Sequence, residues 1–185
     1  MQVDATALPG VLLIKPKIFR DPRGFFVETY HEERYRSHGM SAHFVQDNFS
    51  QSVQGTLRGL HAQLKRPQAK LVRCVLGSIW DVAVDIRVGS PTFGRWAGTV
   101  LDAENGHQVF IPEGFVHGFV VQTEVVQIEY KCSDVYVPDD QLTVRWDDPR
   151  LGIDWPLKGE PILSDKDRSA PLLDELMPIL PRYQA

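Results

Sequence analysis

The chain has 185 residues, 43% of them hydrophobic, and a formal net charge of −4 at pH 7. This length and apolar content predict one domain of ordinary size with a packed core. The acidic balance excludes a general nucleic-acid-binding face, and the lack of an apolar run of about 18 residues or of a signal-peptide layout argues against a membrane protein.

Apolar segments of strand length recur along the chain between Gly, Pro, Asn and Asp residues, which predicts a mainly β protein. We predict strands over residues 11–18, 24–30, 71–76, 79–87, 108–111, 115–121 and 125–131. A polar segment at 32–37 followed by Gly39 predicts a short helix, and 172–180 predicts another short helix or a turn. Gly77 and Ser78 predict a two-residue hairpin. Residues 1–185 are expected to form a single domain with an N-terminal strand arm and a C-terminal tail rich in Pro and Asp.

Side-chain alternation along two of these strands leaves two interpretations open. In segment 79–87, Asp81 and Asp85 share a polar face, which fits either a solvated surface or the polar lumen of a barrel. In segment 125–131, Tyr130 continues an apolar row, which fits either a core tyrosine or a functional phenol.

Two glycine-rich segments carry a histidine at their ends. The first, G-T-L-R-G-L-H, ends at His61, and the second, G-H-Q-V-F-I-P-E-G-F-V-H, ends at His117. The pair resembles the half-motifs of a cupin-type double-stranded jelly-roll barrel, which implies a mainly β fold with short flanking helices. Metal-binding cupins carry a second His two residues after the first and then a Glu, whereas here Gln63 stands in that place. Two imidazoles are too few ligands for a stable divalent site, so we expect no metal.

Eight segments occur in an order that closely resembles the dTDP-4-dehydrorhamnose 3,5-epimerase family. They are D-P-R-G-F-F-V-E at 21–28, F-V-Q-D-N at 44–48, L-R-G-L-H at 57–61, K-L-V-R-C at 70–74, D-V-A-V-D-I-R at 81–87, S-P-T-F-G at 90–94, I-P-E-G-F-V-H-G-F at 111–119 and S-D-K-D at 164–167. The resemblance extends from about residue 11 to residue 171, which is nearly the whole chain.

The resemblance implies that dTDP-4-dehydro-6-deoxy-D-glucose is converted to dTDP-4-dehydro-L-rhamnose. This reaction inverts C3 and C5, whose protons are acidified by the C4 ketone between them. It needs a base, a group that stabilises the enolate and a proton donor, but no cofactor. Three alternatives stay open: an epimerase that inverts only C3, a non-catalytic cupin that binds a nucleotide sugar, and a metal cupin dioxygenase, against which the missing ligands argue.

By the same resemblance, His61 is the base, because a neutral imidazole accepts a proton at physiological pH. Asp167 is implied as the carboxylate that orients the imidazole, although Asp165 lies only two residues away. From the residues alone, Asp81 or Asp85 could also take this role.

The remaining site residues are likewise implied by the resemblance. Lys70 stabilises negative charge at the C4 oxygen, and Tyr130 donates a proton to the face that His61 cannot reach. Arg23 and Arg58 bind the diphosphate. The other implied substrate contacts are Glu28, Gln46, Asp47, Asn48, His117, Gln141 and Lys166; at position 141 many relatives carry Glu.

The resemblance also implies a homodimer in which N-terminal strands are exchanged and some site residues cross the interface. Cys74 and Cys132 stand alone without the spacing of a metal site, which predicts reduced, buried thiols and a cytoplasmic protein. The expected partners are therefore a dTDP-sugar and a second copy of the chain, with neither nucleic acid nor membrane.

Overall fold

The computed structural model describes residues 1–184 and is built mainly from β-strands. In chain order these are β1 Gln2–Ala5, β2 Leu12–Lys15, β3 Ile18–Asp21, β4 Gly24–Val27, β5 Gln46–Val53, β6 Leu57–Gln63, β7 Lys70–Leu76, β8 Ser78–Asp85, β9 Trp96–Asp102, β10 Gln108–Ile111, β11 Phe115–Val121, β12 Val125–Cys132 and β13 Gln141–Thr143. The helices are α1 Glu32–Ser37, α2 Asp165–Arg168 and α3 Leu173–Leu176, with short 3₁₀ turns at Pro138–Asp140 and Met177–Ile179.

The strands form two facing sheets and a separate hairpin. One sheet has the order β1-β2-β10-β7-β12-β5, the other has the order β13-β6-β11-β8-β9, and β3 pairs with β4. Neighbouring strands in both sheets run antiparallel. This confirms the predicted mainly β jelly-roll class. None of the helices within residues 1–184 is long and apolar enough to cross a membrane.

Apolar side chains are buried in three places. One cluster lies between the sheets and includes Val72, Phe119 and Ile128. A second covers the outer face of the five-stranded sheet with the C-terminal tail, and a third packs α1 against the six-stranded sheet. The two-sided burial of each sheet explains why several strands are apolar on both faces.

Most predicted elements are confirmed with small shifts. The helix at 32–37 is found as predicted, and Gly39 ends it with a φ of +89°. The segment 11–18 contains β2 and only the first residue of β3 rather than one strand, because Pro16 interrupts the pairing. Residues 172–180 form α3 and a 3₁₀ turn.

The hairpin predicted at Gly77 and Ser78 is wrong. The strand before these residues, β7, pairs with β10 and β12, whereas the strand after them, β8, pairs with β11 and β9 in the other sheet. Gly77 has a φ of +73°, and a Cβ there would lie 2.3 Å from the carbonyl oxygen of Val125. The two residues are therefore a corner at which the chain crosses between sheets.

Five strands, β1, β5, β6, β9 and β13, were not predicted from the sequence. The reason is clearest for β5, in which the inward positions Asn48, Ser50 and Ser52 are polar, so that the apolar alternation of an ordinary half-buried strand is absent. These inward residues face the cavity described below.

A close approach of β6 to β11 fixes the strand that carries His61. Gly59 has a φ of +138°, and a Cβ at this position would lie 2.6 Å from the Cα of Gly118. Only glycine therefore fits at position 59 without moving the neighbouring backbone.

We predict that Gly59→Ala lowers the free energy of unfolding by about 3 kcal/mol, through positive-φ strain and overpacking. Urea denaturation checks this value. The matched control is Gly159→Ala, since a Cβ at position 159 would have no neighbouring atom within 4 Å and Gly159 has no positive φ; its effect should stay within about 0.5 kcal/mol. Equal stability of the two variants would contradict the prediction.

Candidate active site

A cavity of about 750 Å³ opens between the two sheets, beside the segment that leads into α2. The five-stranded sheet contributes Arg58, His61 and His117 to its wall, and the six-stranded sheet contributes Lys70 and Tyr130. A second cavity of about 320 Å³ adjoins it and shares His61, Lys70 and Tyr130. Because the two sheets face each other, residues that are far apart in the chain line the same cavity.

His61 and Asp167 form a hydrogen-bonded pair in this wall. Nε2 of His61 lies 2.5 Å from Oδ1 of Asp167, and Ser164 Oγ caps α2 by accepting the backbone N–H of Asp167 at 3.1 Å. Burial alone would raise the pKa of Asp167, but the hydrogen bond from His61 and its charge lower it below the ordinary value of 3.8. We assign the proton to Nε2, because an ionised carboxylate accepts it, which leaves Nδ1 as the basic nitrogen.

The other carboxylates considered as partners of His61 lie elsewhere. Asp85 binds Arg87, Ser90 and Thr92, and Asp165 lies at the exposed start of α2. Asp81 instead lies 2.6 Å from Nε2 of His117.

The pair of His117 and Asp81 lies directly beside the first pair. His117 is opposite His61 in the β6–β11 register, and both histidines line the cavity. Asp81 is 1% exposed, and within residues 1–184 its Oδ1 has no hydrogen-bond partner. The pairing of Asp81 with His117 was not predicted from the sequence. The alternation in 79–87 did place Asp81 on the face of Ala83, which the structure buries between the sheets.

Lys70 and Tyr130 line the cavity from the opposite sheet. Burial lowers the pKa of Lys70 below 10.5, while the nearby Cys132 and Asp81 act to raise it. Burial raises the pKa of Tyr130, so its phenol is protonated at neutral pH. Tyr130 packs against the apolar cluster between the sheets, as its place in an apolar row predicted, and its side chain also reaches the cavity.

The charge of the cavity wall is positive. Arg58 Nε donates to Ser52 Oγ at 3.0 Å, and Lys166 Nζ donates to Gln141 Oε1 at 2.9 Å. Among residues 1–184, neither these two cations nor Lys70 forms an ion pair with a carboxylate. The single carboxylate in the wall of the larger cavity, as far as the described chain goes, is Asp167, so the arrangement favours an anionic ligand.

Position 63, where a metal-binding cupin has its second histidine, holds two loops together. Gln63 Nε2 donates to the carbonyl of Arg66 at 2.8 Å, and its Oε1 accepts the N–H of Val137 at 2.6 Å. In the described part of the chain no group of three or more His, Cys, Asp or Glu side chains is placed to hold a metal ion.

Four of the predicted contacts line neither cavity within one chain: Gln46 and Asp47 at the start of β5, and two residues nearer the N-terminus. Arg23 lies in the turn between β3 and β4, where it pairs with Asp21, and Glu28 pairs with Arg34 at 2.6 Å. Neither Arg23 nor Glu28 lines either of the two cavities.

The predicted contacts at the start of β5 divide between the two faces of the sheet. Asn48 lines the smaller cavity, whereas Asp47 faces outward and pairs with Lys131 at 2.9 Å. Gln46 accepts the backbone N–H of Tyr136, and Tyr136, which also lines the smaller cavity, was missed by the sequence analysis. No sequence signal marks Tyr136, since a loop places it there.

Comparison with known proteins points to one family. The family model described as dTDP-4-dehydrorhamnose 3,5-epimerase matches residues 5–175. The chain is 50% identical over 169 residues to the Pseudomonas aeruginosa enzyme of that name, covering 91% of this chain and 93% of the relative. It is also 50% identical over 167 residues to a Neisseria gonorrhoeae protein of that name, covering 90% of this chain but only 51% of the relative.

A solved structure gives the same result. It is a dTDP-6-deoxy-D-glucose-3,5-epimerase from Legionella pneumophila in complex with dTDP-4-keto-L-rhamnose. It superposes with a TM-score of 0.97 at 47% sequence identity, covering 100% of this chain and 99% of the other.

The environment of Lys70 gives a prediction about its titration. NMR of ¹³Cε-labelled lysine should place the pKa of Lys70 below 10.5, and Asp81→Asn should lower it further, because the charge that opposes the burial penalty is lost. Between the folded pKa of Lys70 and 10.5, the unfolded chain binds more protons at Lys70 than the folded chain does. Lys70 therefore makes the free energy of unfolding rise with pH over this range. Lys70→Gln identifies the signal, and a pKa at or above 10.5 would contradict the prediction.

Proposed function

This chain belongs to the dTDP-4-dehydrorhamnose 3,5-epimerase family, and we propose that its inter-sheet cavity performs the reaction with side chains alone. The observation that carries the proposal is that the His61–Asp167 pair and the Tyr130 phenol reach one cavity from different sheets. A planar enolate has two faces, so a base on one side and an acid on the other produce inversion.

The first step is removal of a proton next to the ketone. Nδ1 of His61 takes the proton from C3 or C5, and the electron pair of the broken C–H bond moves onto the C4 oxygen to give an enolate. Asp167 stabilises the imidazolium that forms, and the Lys70 ammonium stabilises the enolate oxygen. The low exposure of Asp167 strengthens this interaction.

The second step delivers a proton to the opposite face. The Tyr130 hydroxyl donates its proton to the carbanionic carbon, the electron pair of the enolate forms the new C–H bond, and the ketone returns. The phenolate then regains a proton from solvent, and the imidazolium releases its proton to solvent. The same cycle at the second carbon completes the double inversion without an oxidant, a reductant or a metal.

The diphosphate is bound by cations that the protein leaves available. Arg58 is the candidate within the same chain, because its guanidinium is held by the neutral oxygens of Ser52 and Gln51 rather than by a carboxylate. Both a guanidinium and the Lys166 ammonium suit a phosphate-bearing ligand. Asn48 and His117 are proposed as further substrate contacts from their places in the walls.

We further propose a homodimer in which the β3–β4 hairpin completes the cavity of the partner. The hairpin exposes Phe19, Phe25 and Phe26 by 52%, 60% and 69%, an unusual amount of apolar surface for a free hairpin. Its turn carries Arg23, which lies outside the cavities of its own chain. A second copy would bury the aromatic rings and bring a cation to the diphosphate. Because Cys74 and Cys132 are buried free thiols, we propose the cytoplasm as the location.

We predict that His61→Asn abolishes solvent exchange of the protons at both C3 and C5, because both depend on one base. Asp167→Asn should keep the fold but lower turnover by about 10³–10⁴-fold through the wrong imidazole tautomer. Proton NMR of the keto-sugar nucleotide in deuterated water measures both. Asp165→Asn is the control. A severe loss of turnover in Asp165→Asn with a mild loss in Asp167→Asn would overturn the assignment of Asp167 as the partner of His61.

Exchange at C3 alone in the unaltered protein would identify an epimerase that inverts only C3.

Tyr130→Phe should separate exchange from inversion. The ring and its packing stay, but the donor is lost, so His61 still exchanges the substrate protons while net inversion falls much further. Deuterium incorporation into substrate and formation of product, measured on the same samples, give the two rates. Equal losses of exchange and inversion would assign Tyr130 to substrate binding or to the first step. No loss of either would mean that Tyr130 is only a core residue.

Mixed dimers test whether Arg23 serves the partner's cavity. Co-expressed Arg23→Gln and His61→Asn chains should recover about a quarter of the unaltered activity, because half of the dimers are mixed and each has one complete site. Co-expressed His61→Asn and Asp167→Asn chains are the control and should recover none, since both residues act in one chain. Absence of recovery in the first mixture, with dimers present, would place Arg23 in its own chain's site. Recovery of about half of the unaltered activity would place Arg23 outside the site, because every chain that keeps His61 would then be active.

A further inference from the structure

One side chain connects three elements at the edge of the cavities. Gln141, on β13, accepts two hydrogen bonds at Oε1, from the Tyr136 hydroxyl at 2.9 Å and from Lys166 Nζ at 2.9 Å. Tyr136 lies in the loop after β12, and Lys166 lies in α2. Because Gln141 lines both cavities, its amide sets where a phenol and an ammonium stand at their shared edge.

The amide holds Lys166 without neutralising it. An amide oxygen is a full hydrogen-bond acceptor with no net charge, whereas a carboxylate of the same size would accept the same two hydrogen bonds and cancel one positive charge. Arg58 is held in the same manner by the Ser52 hydroxyl and a backbone carbonyl. Exposed cations elsewhere, such as Arg23 and Arg34, instead pair with carboxylates.

We infer that Gln141 is a positioning residue, which fixes Lys166 and Tyr136 while preserving the Lys166 charge for the diphosphate of the ligand. The inference rests on the proposed function, in which the ligand is a nucleoside diphosphate sugar. Lys166 is exposed, so its electrostatic effect is moderate and depends on ionic strength.

Two substitutions separate charge from geometry. Gln141→Glu keeps an acceptor for both hydrogen bonds and cancels the charge, whereas Gln141→Met keeps the length and neutrality of the side chain and removes the acceptor. Binding of dTDP, the probe, is measured by isothermal titration calorimetry with each variant. The titrations are run at about 0.01 M and about 1 M salt, where the Debye length is roughly 30 Å and roughly 3 Å.

At low salt, Gln141→Glu should weaken dTDP binding by about fivefold. At high salt it should approach the unaltered protein, so that its affinity falls less steeply with salt. Gln141→Met should keep the salt dependence of the unaltered protein, since no charge changes. If Gln141 had a purely structural role, Gln141→Met would weaken dTDP binding more than Gln141→Glu, and neither variant would change the salt dependence.

The outcomes distinguish this inference from the proposed function. If the unaltered protein binds dTDP and Gln141→Glu binds it with the same affinity and the same salt dependence, the inference is wrong and the proposed function stands. If the unaltered protein does not bind dTDP at either salt concentration, the proposed function itself fails. Lys166→Gln provides a second test, because it removes the same charge from the other partner and should reproduce the shallower salt dependence.

Discussion

A buried carboxylate inside this barrel needs a partner that offsets the cost of removing it from water. The buried carboxylate of Asp167 is held by His61 at 2.5 Å, and that of Asp81 by His117 at 2.6 Å. Neither carboxylate can leave its imidazole without stranding a buried charge, so both rings keep a fixed orientation at the cavity wall. In the proposed reaction, a base that is oriented before the substrate arrives does not have to be reorganised during the proton transfer.

The facing of two sheets gives this site its two-sided character. His61 belongs to the five-stranded sheet, whereas Lys70 and Tyr130 belong to the six-stranded sheet. Side chains on strands that are packed on both faces are held more precisely than side chains on loops. Position 63, which is a metal-ligand position in metal-binding cupins, is occupied here by Gln63. Its hydrogen bonds join two loops beside the cavity. The fold therefore supplies the geometry, and the residue types choose the chemistry.

Cationic side chains at the cavity wall have neutral hydrogen-bond partners, whereas Arg23 on the N-terminal hairpin has a carboxylate partner. Hydroxyl, carbonyl and amide oxygens hold Arg58 and Lys166 in place, so their charges stay available to an anion. The cation of the N-terminal hairpin, Arg23, is paired with Asp21 and lies outside the cavities of its own chain. Exposed aromatic rings on the same hairpin give a physical reason for it to pack against another surface.

The sequence by itself determined the features that depend on local chemistry. The helix at 32–37 follows from the glycine after its end, the strands at 108–111 and 115–121 follow from short apolar runs, and the apolar row that contains Tyr130 follows from side-chain alternation. All of these signals act over a few residues. The resemblance to the family also named the charged and titratable residues that the structure places in the wall of the larger cavity, because short motifs surround His61, Lys70, His117 and Asp167.

Only the tertiary structure decided which of these residues meet. His61 and Asp167 are 106 positions apart; the family motif at 164–167 implied their pairing, but the residues alone left Asp81 and Asp85 open as partners. The corner at Gly77, the polar strand β5 and the contact of Gln141 with Lys166 also depend on which sheet each segment joins. Sheet membership is set by the burial of both sheet faces at once, which is a property of the whole chain and of no single segment.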